Sequence, residues 1–196
     1  LSPKMGGPGA KPYQPEHVWD QVGIGNTRDY QQDTGENLYR RTVYDFWKRM
    51  APPPNMDIFN APAREVTCVR RDRTNTPLQA LVTMNDPQFV EAARNLAQRA
   101  LLQGGADDAR IIDFIARRVL CRPLKDVEKP VIQASQRDLL AFYTGRPDDA
   151  KALIAVGESK ADAKLDPAQL AAWTMVCNQV MNLDEVIRRI VRTMMA

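Results

Sequence analysis

Apolar side chains recur at helical spacing along most of the second half of the chain. Within residues 87–103, Phe89, Leu96 and Ala100 fall on one face of a helix, and Gly104-Gly105 follows as a stop signal. The same pattern continues towards the C-terminus. The periodicity predicts further helices at residues 36–50, 76–85, 107–120, 126–143, 147–156, 166–182 and from 183 onward.

The rest of the pattern predicts irregular structure. Residues 55–62 show no periodicity, and Val66-Thr67-Cys68-Val69, preceded by Glu65, is the one β-like stretch. A single short strand cannot form a sheet. The predicted fold is therefore mainly α, an irregular multi-helix bundle with long Pro/Gly-rich loops and at most a short β segment near residues 65–69.

Three helix starts carry the same chemistry, a side-chain oxygen followed by proline. The oxygen can accept an N–H of the first turn, and proline at the first helical position has no N–H to satisfy. At the first of these starts, a glutamine three residues after the threonine completes a capping box. The residues predicted to form these structural caps are Thr76, Pro77, Gln79, Asp86, Pro87, Asp166 and Pro167.

Composition excludes several classes of protein. The chain of 196 residues has a net charge of +3, which is too mild for a nucleic-acid binder. The sequence contains no apolar run of 18 residues, so it predicts no transmembrane segment. Cys68, Cys121 and Cys177 are far apart and His17 is the single histidine, so we expect no metal site and no haem attachment in this segment.

Arginines are concentrated immediately before the Thr76 helix start. Their planar guanidinium groups suit carboxylates, phosphates and backbone carbonyls. Either they fix the long loops to nearby carboxylates and helix ends, or they form a patch that contacts an anion, a saccharide or a partner. The residues proposed to contribute to ligand or partner binding are Arg64, Arg70, Arg71, Arg73, Asn75, Asp86 and Glu185.

No catalytic constellation is visible in the sequence. The paired acids Asp107-Asp108, Asp148-Asp149 and Asp184-Glu185 all fall at predicted helix starts, where the helix dipole favours negative charge. Catalytic carboxylates must face one cleft, whereas adjacent residues on a helix diverge. We therefore assign no catalytic residue, and the sequence favours a non-catalytic role over an enzymatic one.

A series of ordered motifs resembles a planctomycete-type domain of unknown function. That domain is found at the C-terminus of large exported proteins with planctomycete cytochrome c-like domains upstream. The resemblance covers nearly the whole chain. The motifs are MGGP at 5–8, KPYQP at 11–15, DTGENLYRR at 33–41, FWKR at 46–49, APPP at 51–54, RTNTPLQAL at 73–81, NDPQF at 85–89, AVGES at 155–159, LAAWT at 170–174 and NLDE at 182–185.

The resemblance implies that residues 1–196 form one domain, the C-terminal portion of a larger family domain. The absence of an initiator methionine at Leu1 also leads us to expect a piece of a longer protein. Within it we distinguish an extended N-terminal segment (1–35), a helix-loop-helix part with the arginine-rich loop (36–105) and the C-terminal helices (106–196).

The resemblance further implies an extracytoplasmic location, periplasmic or secreted, with haem c on a separate upstream domain. The expected partners are upstream domains of the same polypeptide, or polysaccharide. One hypothesis is a non-catalytic scaffold or interaction module of this exported protein. The alternative is part of an extracytoplasmic enzyme of polysaccharide breakdown, whose active site upstream residues would complete.

Overall fold

The computed structural model describes residues 1–18, 30–48, 51–62, 66–70, 72 and 74–193. The chain divides into two compact units. The first comprises Leu1–Gln79 with Arg188–Ala196, and the second comprises Ala80–Ile187. The described residues contain eight α-helices and no β-strand, which confirms the mainly α fold class.

Backbone hydrogen bonds pin the N-terminal segment of the first unit. The N–H of Ala10 donates to the carbonyl of Tyr44, and the N–H of Phe46 donates back to Ala10. The N–H of Ser2 donates to Tyr39. Such bonds satisfy backbone groups of an extended segment without making it a strand. The backbone polar groups of the described part of this segment are therefore partly satisfied within the first unit.

The prediction of a long helix at residues 36–50 is wrong. The chain forms two short 3₁₀ turns, Gly35–Tyr39 and Thr42–Tyr44, separated by extended backbone at Arg40 and Arg41. Residues 49–50 lie outside the described part. Aromatic and β-branched residues are weak helix formers. The bonds that Arg40 makes inside the unit also fix a non-helical path, which periodicity alone does not indicate.

Two other local predictions need correction. Residues 55–62, expected to be irregular, begin with helix α1 (Pro54–Ile58), which has proline at its first position. The described part of the β-like stretch, residues 66–69, forms no strand, and Val66 and Val69 are exposed. The described residues around this stretch supply no partner strand, and a lone strand gains no ladder hydrogen bonds.

Helix α2 (Pro77–Asn85) begins with the predicted capping box. The Gln79 N–H donates to Thr76 Oγ1 over 3.3 Å, and the Thr76 N–H donates to Gln79 Oε1 over 3.0 Å. The Gln79 amide also donates to the Ile58 carbonyl and to Thr74 Oγ1, which explains why this polar side chain is fully buried. One residue thus caps α2 and joins it to α1.

The second unit is built around a central helix. Its helices are α3 (Pro87–Gly104), α4 (Asp108–Val119), α5 (Lys129–Thr144), α6 (Pro147–Ile154) and α7 (Pro167–Met181). Helix α8 (Asp184–Thr193) begins in this unit, and its residues from Arg188 onward belong to the first. Helix α7 is contacted by α3, by α5 and by α6, and α4 packs mainly on α3. The helices α3 and α7 begin with the predicted Asp86-Pro87 and Asp166-Pro167 caps.

Helix α7 is buried around most of its circumference. Trp173 and Cys177 are fully buried, and Ala171 and Ala172 pack against Tyr143 of α5. Small side chains allow neighbouring helices to approach closely, and a helix that is apolar all round belongs in a core. The three cysteines are free thiols, and burial raises the pKa of Cys177 far above its ordinary value.

A glycine sets the distance between α3 and α4. A Cβ atom on Gly104 would lie 2.4 Å from Cγ1 of Ile111, which is fully buried. Gly105 follows with a φ of +64° and ends α3. The predicted Gly104-Gly105 stop signal therefore serves both packing and termination. Within the described residues, none of the helices has both the length and the apolar character needed to cross a bilayer.

We expect Gly104→Ala to lower the free energy of unfolding by about 1–3 kcal/mol, because the new methyl group must displace Ile111. Urea unfolding followed by circular dichroism measures this change. The matched control is Gly145→Ala, since a Cβ there meets only ordinary contacts at 3.6 Å or more and φ is −77°. Equal stability of the two variants would contradict the close α3–α4 contact.

Candidate functional site

The residues predicted to bind a ligand or partner are held in different ways. Arg64, Arg71 and Arg73 lie outside the described residues. Arg70 is exposed, and its carbonyl accepts a hydrogen bond from the Cys68 thiol. Asn75 is exposed just before the Thr76 cap. The contribution of these residues to binding stays a prediction.

The two predicted acids of the second unit have structural partners. Asp86 caps α3 by accepting the Gln88 N–H over 2.9 Å, and burial raises the pKa of its carboxyl. Glu185 accepts a hydrogen bond from Arg122 over 3.2 Å. Their hydrogen bonds run to separate partners, so these bonds do not join the two acids into one site.

Arg122 bridges two carboxylates in the second unit. Its guanidinium group donates to both oxygens of Glu128 over 2.8 and 2.9 Å, as well as to Glu185. The hydrogen bonds that Glu128 accepts from Arg122, and then the one from the Lys125 N–H, lower the pKa of its carboxyl to about 2. The arrangement fixes the turn before α5 to the first turn of α8.

Two deeply buried charged side chains of α3 form a cluster with two polar neighbours, which we call the α3 polar cluster (Glu91, Arg94, Asn95 and Ser159). Arg94 is 1% exposed and Glu91 2%. Arg94 donates to Glu91 over 3.4 Å, to Ser159 Oγ over 2.5 Å and to the Ile154 carbonyl over 2.9 Å. A buried charge pair is tolerated only when such additional bonds satisfy it.

Ser159 is the centre of this cluster. Its N–H donates to Glu91 Oε1 over 2.7 Å, and its hydroxyl donates to the same oxygen. The hydroxyl oxygen accepts from Arg94 and, over 3.1 Å, from Asn95. A serine hydroxyl has one donor and two acceptor sites, so all its capacity is used.

The loop that carries Ser159 follows the polar side of α3. The N–H of Asp162 donates to Gln98 Oε1, one helical turn beyond Asn95. Gly157 has a φ of +90°, and a Cβ there would lie 2.3 Å from the Glu91 carboxyl carbon. Only glycine permits both this backbone conformation and this approach. Residues 157–162 are therefore fixed by polar contacts in place of an apolar core.

The chemistry of the α3 polar cluster is structural. Its carboxylate accepts hydrogen bonds from Ser159 and Arg94. The sequence prediction missed this cluster, because Glu91 and Arg94 look like ordinary exposed helix residues. The AVGES motif was the available signal, since a glycine and a serine in a short loop indicate a special backbone contact.

The first unit contains a comparable polar centre. Arg40 is 3% exposed and donates to the carbonyls of Pro8 and Gly6. Its guanidinium carbon lies 3.8 Å from the centre of the Tyr44 ring, and the Tyr44 hydroxyl accepts the Gly6 N–H. Arginine again holds a glycine-rich loop through carbonyl groups. Among the described residues, no three potential metal ligands of the His, Cys, Asp and Glu types lie together.

The chain matches the model of a protein family over most of its length. Residues 1–135 match the model of the family described as PSD1, protein of unknown function (DUF1553). The search of curated proteins finds no match. The search of solved structures likewise finds none.

We expect Ser159→Ala to destabilise the second unit by about 1–3 kcal/mol, because Glu91 and Arg94 each lose a partner in a buried site. Amide hydrogen exchange of residues 157–162 should accelerate more than that of α7. Ser135→Ala is the matched control, because its hydroxyl makes one exposed bond to Gln179. A Ser159 variant as stable as the Ser135 variant would contradict the anchoring role.

We expect Arg122→Gln to raise the pKa of Glu128 from about 2 towards 4.5, as measured by NMR titration. The normal pair stabilises the fold above the unfolded pKa and loses this contribution as pH falls through about 2. The variant's stability should therefore depend less on pH between 4.5 and 2. Arg117→Gln, which removes only the bond to Asp113, should leave Glu128 unchanged; an equal shift there would contradict the assignment.

Proposed function

Because this chain belongs to the family described as protein of unknown function (DUF1553), whose model covers residues 1–135, we propose its role from its own surfaces. It is a non-catalytic scaffold and interaction module of an exported multidomain protein. Its partner is another domain of the same polypeptide, upstream of this segment. The surface that contacts this partner is the outer face of α2.

The observation that carries the proposal is the reversed polarity of α2 in the second unit. Thr83 is fully buried: its hydroxyl donates to Asn182 Oδ1 and its carbonyl accepts from Asn178. Leu81 and Met84 are 58% and 44% exposed. A helix normally turns its apolar side inward. Apolar side chains placed outward, with a polar one inside, are typical of a face that another protein covers.

The chemistry of this face favours a protein domain over a saccharide. Leucine and methionine offer flexible aliphatic surface, and methionine is enriched at protein interfaces. Saccharide rings are usually held by aromatic stacking together with convergent polar groups, and the α2 face presents neither. The buried contacts of Thr83 fix the helix so that the outer residues keep a constant position.

The buried polar residues support a structural role for the rest of the segment. Glu91, Arg94 and Arg40 all hold loops through their hydrogen bonds. Haem c, if present in the full protein, belongs to a separate upstream domain. His17 stands 51 residues or more from each cysteine in sequence, which does not suit c-type attachment.

The test is a binding titration of this segment with the separately expressed upstream region. We expect Leu81→Ser/Met84→Ser to weaken binding about tenfold or more, since buried apolar anchors dominate interface energies. Circular dichroism verifies that the variant remains folded. The matched control is Val127→Ser/Val131→Ser, which removes an apolar pair that is even more exposed. Loss of binding in both variants, or in neither, would contradict the α2 face.

A further inference from the structure

We propose that the second unit binds an anionic polysaccharide, one bearing sulfate or carboxylate groups, in a groove along α4. The proposal uses residues remote in sequence from the α2 face and does not depend on the partner-domain proposal. The groove encloses about 560 Å³ and lies beside the end of α3. Its charged lining comes from α4, through Arg110, Asp113, Arg117 and Arg118.

The charge of the groove favours an anion. Three arginines face one aspartate, so two positive charges remain uncompensated. Asp113 accepts a hydrogen bond from Arg117 Nε over 2.7 Å, and this pair is largely exposed. An exposed ion pair contributes little stability and can exchange its partner. Arginine is suited to sulfate and carboxylate, because its fork donates two parallel hydrogen bonds.

One of the three arginines, Arg118, is positioned by an aromatic ring before a ligand arrives. The Arg118 guanidinium lies 5.3 Å from the centre of the Phe114 ring, which also lines the groove. Gly104 lets α4 approach α3 closely and so fixes the groove floor. A site on a rigid helix loses less entropy on binding than one on a loop.

The spacing of the arginines suits a glycan, and the net charge of the chain argues against a nucleic acid. At 1.5 Å per residue, Arg110 lies about 10–12 Å along the helix axis from Arg117 and Arg118. This distance is comparable with one disaccharide of an extended polysaccharide, which places its charged groups at that interval. The net charge of the chain, +3, is also milder than that of most nucleic-acid binders.

The experiment titrates the full chain with a size-defined heparin oligosaccharide by calorimetry, at several salt concentrations. Dextran serves as the neutral probe and a single-stranded oligonucleotide as the alternative polyanion. We expect binding to heparin that weakens with salt, no binding to dextran and weaker binding to the oligonucleotide. The variant Arg110→Gln/Arg118→Gln should bind heparin at least about tenfold more weakly, because two charge-assisted contacts are lost.

The matched control is Arg137→Gln/Arg146→Gln, which removes the same charge from α5 and the turn after it. Arg146 lies 4.5 Å from the Phe142 ring centre and near Asp149, so it reproduces the groove's local chemistry outside the groove. This variant should retain heparin binding. No binding by the normal chain, an equal loss in both variants, or tighter binding of the oligonucleotide would each overturn the proposal.

Discussion

The second unit depends on one constraint: helix α7 has to be covered on nearly all sides. Its residues alternate large and small apolar groups, with Trp173 and Val176 filling space and Ala171 and Ala172 admitting neighbours. The helices α3, α5 and α6 pack on it. Helix α4 then packs on α3, at a distance that Gly104 permits. The surfaces that remain outside, including the α4 groove, are defined by this order of packing.

Loops are fixed by a different kind of interaction. Residues 157–162 bury little apolar surface, yet they are bonded to Glu91, Arg94, Asn95 and Gln98 on α3. A buried carboxylate and guanidinium must keep all their partners, because an unpaired charge in a core is costly. The requirement restricts the loop to one conformation. Glu91 and Arg94 therefore serve to order this loop.

Much of the helical part could be predicted from the sequence, because its signals are local. The Thr76–Gln79 box, the Asp86 and Asp166 caps and the glycine stop of α3 are all present as predicted. The predicted helix at 36–50 fails for a physical reason. Its path is set by Arg40, whose partners at residues 6 and 8 are more than thirty positions away.

The candidate sites were harder to predict, because their residues are likewise far apart in the sequence. Glu91 and Ser159 are separated by 68 positions, so neither periodicity nor spacing connects them. The inward position of Thr83 likewise depends on Asn178 and Asn182.

The burial of Cys177 in α7 has a consequence for its reactivity. Its thiol is fully enclosed and its pKa is raised, so it can react with an oxidant or alkylating reagent only after α7 leaves the core. Its rate of modification is therefore a direct readout of how often the second unit opens.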